Sequence, residues 1–182
     1  EAEELVTAYL QVLERLGLGD SDVRWAEGRI LEAKLAVHRG EFGTGERLAS
    51  MVEDAAREHG WTKEQIECLH IRARACTRRG EVQLSRAHLK RGISLAGEGD
   101  FTELRAVLLR HLTYVCLWSG DISEARTVGS EALQIFESLR ARARSELGLG
   151  RHLRMLARIE LIAGDLDAAA GYLGQAMPLM EA

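Results

Sequence analysis

A glycine followed by an acidic residue recurs at nearly constant spacing along this chain of 182 residues. The pairs are Gly40-Glu41, Gly80-Glu81, Gly120-Asp121 and Gly164-Asp165. Successive glycines are therefore 40, 40 and 44 residues apart, and a small residue follows each glycine five positions later. Self-similarity at such a period is the signature of stacked repeat proteins, in which each unit packs mainly against its neighbours. The chain is therefore predicted to be a repeat array, an architecture that usually offers a binding surface rather than an active site.

Segments with helical apolar periodicity flank each glycine, and we name the segment before it the A helix and the segment after it the B helix. The A helices are predicted at about residues 22–39, 62–79, 100–119 and 145–163, the B helices at about 42–58, 83–96, 123–138 and 167–180, and one further helix at about 2–16. Ser21 is the expected N-cap of the first A helix, and Thr62-Lys63-Glu64-Gln65 is typical of a capping box at the start of the second. Pro178 is expected to kink or end the last B helix, because it lacks a backbone N–H. The pattern thus predicts nine helices and no strands.

The small residues have a fixed place in each repeat. They lie seven residues before, five after and twelve after each glycine, and a large apolar residue lies two after it. Two helices approach closely only where side chains are short, so this spacing fixes where the helices touch. The pattern resembles the tetratricopeptide repeat over essentially the whole chain. The resemblance implies an all-α fold, a right-handed α-α superhelix.

The resemblance also divides the chain into repeats. It implies a single domain over residues 1–182, with a partial repeat at 1–17 and helix pairs at 21–60, 61–99, 100–140 and 141–182. The first helix looks like a B helix whose A partner lies upstream, so we interpret the chain as a fragment of a longer protein.

The length of the repeat points to a particular kind of tetratricopeptide array. The usual period is about 34 residues, whereas the period here is 40 to 44 residues. Kinesin-light-chain repeats are also long, but their His-Pro-Asp signature is absent from this sequence. The long repeats resemble the sensor segments of bacterial LuxR-type regulators of the maltose-regulator class and of related signal-transduction ATPases. This resemblance implies a non-catalytic module that binds a protein, peptide or ligand within a regulator of transcription or signal transduction.

Composition and missing motifs exclude several classes of function. Apolar residues make up 46% and charged residues 29% of the chain, which is typical of a folded, helix-rich protein. The net charge of −4 argues against nucleic-acid binding within this domain. No apolar run is long enough for a membrane span, so we expect no membrane partner. The use of only three cysteines fits a reducing, cytoplasmic location. Phosphate-binding loops, nucleophile elbows and paired histidines are absent, so the sequence predicts no enzyme and no catalytic residues.

The three cysteines are too few for a disulfide framework. Cys76 and Cys116 lie four residues before successive repeat glycines, where Ala36 lies in the first repeat. We interpret them as small packing residues, and we expect no metal and no cofactor.

A basic groove is the predicted binding site. In tetratricopeptide arrays the A helices line the concave face, and the resemblance places positions 13, 10, 6, 3 and 2 before each glycine on it. The candidate binding residues are Lys34, His38, His70, Arg74, Arg78, Arg110, Tyr114, Trp118, Arg151, Arg154 and Arg158. Guanidinium groups bind carboxylates bidentately, and an aromatic pair adds an apolar anchor. The groove is therefore predicted to bind an acidic or C-terminal-carboxylate peptide, or a small anionic effector.

Other interpretations remain open at this stage. The arginines among these candidates could simply form a solvated helix face that pairs with Glu67 or Glu160. Tyr114 and Trp118 could be core residues between repeats. The stretch Arg140-Ala141-Arg142-Ala143-Arg144 is a second basic candidate or simply loop charge. The alternative function is a structural scaffold or self-association module, since the open end of the array would form a homo-oligomer or dock another protein. Nucleic-acid binding through the groove is a third option, which the net charge disfavours.

Overall fold

A computed structural model of the chain describes residues 2–141 and 146–181, in which α-helices are joined by short turns. The helices are α1 (Ala2–Arg15), α2 (Val23–Arg39), α3 (Phe42–His59), α4 (Thr62–Arg79), α5 (Val82–Glu98), α6 (Thr102–Trp118), α7 (Ile122–Ala141), α8 (Glu146–Ala163), α9 (Leu166–Ala176) and α10 (Pro178–Glu181). The predicted all-α fold and the order of A and B helices are confirmed, with α2, α4, α6 and α8 as the A helices. In these same residues, no helix has both the length and the apolar character that a membrane span needs.

The contacts between helices divide the chain into two compact units, Glu1–Gly99 and Asp100–Ala182. In the first unit each helix packs against the next, and the A helices α2 and α4 also contact each other. In the second unit α6 packs on α7, α7 on α8 and α8 on α9, with a further contact between the A helices α6 and α8. The prediction of one domain over residues 1–182 stays a prediction.

Each repeat glycine ends its A helix in a left-handed backbone conformation. The φ angles are 89° at Gly40, 79° at Gly80, 79° at Gly120 and 84° at Gly164. This conformation lets the next residue's N–H reach back to a carbonyl five residues earlier, as in the 2.9 Å bond from Glu41 N to Ala36 O. The corresponding bond is 2.9 Å in the other three repeats as well. The four turns are therefore one structure repeated, which is why the glycine spacing predicted the fold.

The core of the first unit lies between α2, α3 and α4. Its fully buried members are Ala26, Ile30, Ala33, Val37, Leu48, Ala49, Val52, Cys68, Ile71 and Ala75. Trp25 and Trp61 pack against this cluster while partly buried. These two tryptophans therefore contribute apolar burial at the helix seams rather than an exposed site.

Helix starts were the least predictable feature. The predicted capping box at Thr62 is wrong, because the N-cap of α4 is Trp61 and no side chain caps it. Gln65 instead donates its side-chain N–H to the Ala56 carbonyl at 2.9 Å, in a buried position at the end of α3. The predicted cap Ser21 is also replaced, since the Asp22 carboxylate accepts the Arg24 N–H at 2.9 Å. At the start of α4, the Gln65 side chain thus bonds to α3 instead of to its own helix end. At the start of α2, Asp22 takes the capping role that the sequence assigned to Ser21.

Pro178 behaves as the sequence predicts. Helix α9 ends at Ala176, and Pro178 is the first residue of the short helix α10. Proline is tolerated there because the first helical residue needs no N–H partner within the helix.

Gly45 and Gly43 provide a matched test of the close helix contact. A Cβ at Gly45 would lie 2.5 Å from Val37 Cγ2 and 3.0 Å from the Ala33 carbonyl oxygen, whereas a Cβ at Gly43 would meet nothing within 4 Å. Gly45→Ala should lower the free energy of unfolding by about 1–3 kcal/mol through overpacking. Gly43→Ala should raise it by up to about 1 kcal/mol through helix propensity. Urea denaturation measures both, and equal effects of the two substitutions would contradict this account of the contact.

Candidate functional site

The candidate residues lie on the A helices of both units. In the first unit Lys34 and His38 lie on α2, and His70, Arg74 and Arg78 lie on α4. In the second unit the candidates are Arg110, Tyr114 and Trp118 on α6, and Arg151, Arg154 and Arg158 on α8. Each of these side chains is exposed or half-buried, so all of them can be reached from solvent.

The part of the predicted groove between α2 and α4 is not basic. The Lys34 ammonium forms an ion pair with the Glu67 carboxylate across the two helices. Lys63 Nζ lies 4.0 Å from Glu27 Oε1. These groups line a cavity of about 250 Å³, together with Tyr9, Ile30, Leu31 and Glu64. Its carboxylates outnumber its ammonium groups, so the charge of Lys34 is neutralised locally.

Arg74 and Arg78 form a basic row further along α4. They lie one helical turn apart and therefore on the same face. Among the described residues no carboxylate forms an ion pair with either side chain. Burial lowers the pKa of Arg74, and the positive charge of Arg78 lowers it further. Like charges thus lie side by side without a counter-ion.

The second unit holds a larger basic surface, which we call the arginine face: Arg110 on α6 and Arg151, Arg154 and Arg158 on α8. Arg110 is half-buried, and its guanidinium carbon lies 5.8 Å from the centroid of the Phe136 ring. Burial lowers the pKa of Arg110, and the charge of Arg151 adds to this effect. The three arginines of α8 are exposed. In the described part of the chain none of the four has a carboxylate partner.

Two aromatic rings adjoin Arg110 on the same helix. The Tyr114 and Trp118 ring centroids are 6.0 Å apart, and Tyr114 also lies 6.5 Å from the His111 ring. The Trp118 side chain is 65% exposed. The interpretation of Trp118 as a core residue is therefore wrong, and an exposed indole next to a basic row is available to a ligand.

The carboxylates that could have neutralised the arginine row are engaged elsewhere. Glu67 pairs with Lys34, and Glu160 accepts hydrogen bonds from Arg126 Nε at 3.1 Å. The alternative that these carboxylates pair with the row is thus not realised. In the described residues Arg15 and Arg47 also lack a carboxylate partner.

The second basic candidate, Arg140-Ala141-Arg142-Ala143-Arg144, is described only in part. Residues 142–145 lie outside the described residues. Arg140 Nε lies 4.0 Å from Glu146 Oε1, so its charge has an acidic neighbour.

A buried histidine packs beside the aromatic ring that Arg110 of the arginine face contacts. His152 is fully buried, and its Nε2 lies 2.8 Å from the Gly129 carbonyl, to which it donates a hydrogen bond. Its ring lies 5.4 Å from the Phe136 ring, on which Arg110 stacks. Burial lowers the pKa of His152 to about 4, so the ring is neutral near pH 7. His152 lies twelve residues before its glycine, a position that is buried in every repeat, and this register could have identified it from the sequence.

The cysteines have the environment expected of packing residues. Cys68, Cys76 and Cys116 are all buried, and none of them forms a disulfide. Burial is the main cause that raises the pKa of Cys76, to about 11, and it also raises the pKa of Cys68. At neutral pH both groups are therefore thiols, which fits small apolar side chains.

No family model matches this chain, and no curated protein matches it in sequence. Solved structures match its fold. BtubC (BKLC) from P. vanneervenii matches with a TM-score of 0.80 and 16% identity, over 97% of this chain and 71% of that one. Aspartyl phosphate phosphatase F from Bacillus subtilis matches with a TM-score of 0.79 and 15% identity, over 86% of this chain and 40% of that one. The nearly identical TPR-like repeats of a putative kinesin light chain from Podospora anserina match with a TM-score of 0.69 and 18% identity, over 98% of this chain and 86% of that one.

These matches confirm the tetratricopeptide-like helical repeat fold. At such identities they show the fold alone, and the chain spans less than half of the length of the phosphatase. They do not show the resemblance to LuxR-type regulators, which stays a prediction.

His152 should make stability depend on pH. Its pKa is about 4 in the folded protein against a usual value of 6.5, so between these values only the unfolded chain takes up the proton. The free energy of unfolding should therefore fall as the pH drops from about 6.5 to about 4, by roughly 3 kcal/mol from this group. In His152→Gln, whose amide can still donate to the Gly129 carbonyl, this loss should be much smaller. The measurement is denaturation at a series of pH values, with exposed His38→Gln as the control that keeps the loss. An unchanged pH dependence in His152→Gln would refute the assignment.

Proposed function

We propose that this chain is a non-catalytic binding module of a bacterial regulatory protein, and that its arginine face captures an acidic peptide. The observation that carries the proposal is the set of four arginines on the adjacent helices α6 and α8 without a carboxylate partner in the described residues. An anionic ligand relieves the repulsion among these charges, which gives binding a favourable term that the free protein lacks.

The spacing of the arginines suits an extended chain. Arg151, Arg154 and Arg158 lie on one face of α8 and span seven residues. At a rise of 1.5 Å per residue the row is about 10 Å long, the length of roughly three residues of an extended peptide. A guanidinium can donate two hydrogen bonds to each carboxylate of such a peptide.

Arg110 is the preorganised member of the face. Its stacking on Phe136 and its burial restrict the side chain before any ligand arrives. Less conformational entropy is then lost on binding, and the hydrogen bond forms in a partly dry environment where it is stronger. A half-buried guanidinium with no counter-ion favours a ligand carboxylate at this position.

The exposed apolar side chains favour a peptide over a small anion. Trp118 on α6 and Ile162 on α8 occupy the same position of their repeats, two residues before the glycine, and are 65% and 56% exposed. Leu161 beside Ile162 is 50% exposed. Both helices of the arginine face thus end in exposed apolar side chains. The preferred ligand is therefore an acidic peptide that also carries a bulky apolar residue.

The remaining parts of the proposal rest on the sequence. It holds none of the nucleotide-binding or nucleophile motifs of common enzymes, which supports a non-catalytic role. The setting in transcription regulation or signal transduction rests on the long repeats and their resemblance to bacterial LuxR-type regulators, and the cytoplasmic location rests on the small number of cysteines.

Removing charge from α8 should weaken peptide binding. Arg154→Ala combined with Arg158→Ala should lower the affinity at least about tenfold, since each hydrogen bond to a charged group contributes about 1.5–3 kcal/mol. The measurement is fluorescence anisotropy with a labelled pool of Asp- and Glu-rich nonapeptides that contain Leu or Phe.

The control removes the same charge elsewhere. Arg15 and Arg47 are exposed arginines on α1 and α3, and neither has a carboxylate partner in the described residues. Replacing both by Ala should leave the affinity within about twofold of wild type, because neither residue belongs to the helices that carry the arginine face and surface charges are screened by salt. Equal losses in the two double variants would mean that only net charge matters, and the arginine face would then not be the site.

Self-association is the second candidate function, favoured by apolar side chains on the terminal helices. On α1, Leu5 is 67% and Leu16 is 62% exposed. On α9, Leu166 is 66% exposed, and Met177 after it is 60% exposed. Contact between the two kinds of end would join copies head to tail and bury both surfaces.

Light scattering over a range of concentrations tests this candidate. Self-association predicts a mass that rises with concentration and returns to that of the monomer in Leu5→Glu and in Leu166→Glu, because a charge would be buried unpaired. Leu84→Glu on α5, where the leucine is 55% exposed, is the control and should leave the association intact. A constant monomeric mass in the wild type would refute self-association and would leave the peptide-binding proposal unaffected.

A further inference from the structure

Three helices of the first unit bring three different metal-ligating groups to one point. They are the Glu46 carboxylate on α3, the Cys76 thiol on α4 and the His88 imidazole on α5. Their ligand atoms all lie within 4.8 Å of one another. Carboxylate, thiolate and imidazole together form a mixed donor set that suits Zn²⁺.

A comparison of equivalent positions in the repeats shows that this set of three ligands does not recur in the other described repeats. His88 lies eight residues after its glycine, where the other repeats have Leu48, Val128 and Tyr172. Glu46 lies six residues after its glycine, and Cys76 lies four residues before the next one. The same two positions meet again at Arg126 and Glu160, which form an ion pair. The fold therefore joins these positions, and only between α3, α4 and α5 do the described residues fill them with three potential metal ligands.

A cation already occupies this place. Arg79 Nη2 lies 2.5 Å from Glu46 Oε2 and 3.8 Å from Cys76 Sγ, so it touches two of the three ligands. Arg79 also donates to Glu81 at 2.8 Å through Nε and at 2.7 Å through Nη2. If it leaves Glu46, the guanidinium thus keeps a bidentate partner.

The other positive charges nearby are held by a different carboxylate. Glu53 is buried and pairs with Arg72 at 2.6 Å and with Arg91 at 3.0 Å. These two arginines therefore do not occupy Glu46, and Arg79 is the cation that an added metal ion would displace from it. The His88 imidazole adds a ring nitrogen to the ligand atoms that lie within 4.8 Å of one another.

We propose that Glu46, Cys76 and His88 bind one Zn²⁺ ion, which displaces the Arg79 guanidinium from Glu46. Coordination replaces the S–H bond of Cys76 by an S–Zn bond and releases one proton to solvent, while zinc stays in the 2+ state. A water molecule completes the tetrahedral set. The ion would tie α3, α4 and α5 together and stabilise the first unit by mass action.

Cobalt titration of the chelator-treated full chain tests the site directly. Co²⁺ in a tetrahedral site with one thiolate gives visible ligand-field bands and a near-ultraviolet thiolate charge-transfer band. Both are expected in the wild type with a stoichiometry of one, and added Zn²⁺ should abolish them. A wild type without the charge-transfer band, or one that keeps no Zn²⁺ after gel filtration, would overturn the proposal.

Matched variants separate this site from adventitious binding. Cys76→Ser, His88→Gln and Glu46→Gln should lose the bands, whereas Cys116→Ser, at the same position of the next repeat, should keep them. Arg79→Gln should bind Zn²⁺ more tightly, by about fivefold, because it removes an exposed ion pair that competes for Glu46. Retention of the thiolate band in Cys76→Ser, or weaker binding in Arg79→Gln, would also overturn the assignment.

A thermal melt in chelator checks that each variant folds. Zn²⁺ should raise the melting temperature of the wild type and of Cys116→Ser but not that of His88→Gln. This readout remains decisive if one of the ligand variants proves unstable, because each variant is compared with itself in the presence and absence of metal.

Discussion

Each A helix turns into its B helix over a glycine and an acidic residue, and this turn fixes what the two helices can bury. The left-handed backbone of Gly80, with φ of 79°, lets the Glu81 amide close the end of α4 on the Cys76 carbonyl at 2.9 Å. With so short a link, the position five after the glycine must meet the position seven before it. The Ser85 hydroxyl accordingly donates to the Ala73 carbonyl at 3.0 Å. Small residues at these positions are therefore a consequence of the turn.

The same register sorts the charged side chains. Where neighbouring helices pack together, oppositely charged side chains form ion pairs, as in Arg126 with Glu160 and in Arg79 with Glu46. These pairs use carboxylates that would otherwise neutralise the outer rows of the A helices. An acidic chain can therefore carry a basic face, because net charge does not say which charges are already paired.

Local signals predicted most of the fold but only part of the site. The helix bounds follow from the glycine turns and the apolar period, which act within a few residues of the chain. The capping box at Thr62 failed because the Gln65 side chain reaches the preceding helix instead. The groove register placed Arg110, Tyr114 and Trp118 on one accessible face of α6, yet it counted Lys34 as a free charge although Glu67 of another helix neutralises it. It also missed His152, whose role depends on the Gly129 carbonyl of α7.

The sequence by itself determined the all-α repeat fold, the order of the helices and the glycine turns, because these depend on backbone preferences and on a period visible along the chain. Only the tertiary structure decided which arginines have no carboxylate partner among the described residues, and that the ligand atoms of Cys76, Glu46 and His88 lie within 4.8 Å of one another. The partners of a side chain on another helix depend on how both helices are rotated about their axes. That rotation is set by the packing of whole helix faces, which no short stretch of sequence contains.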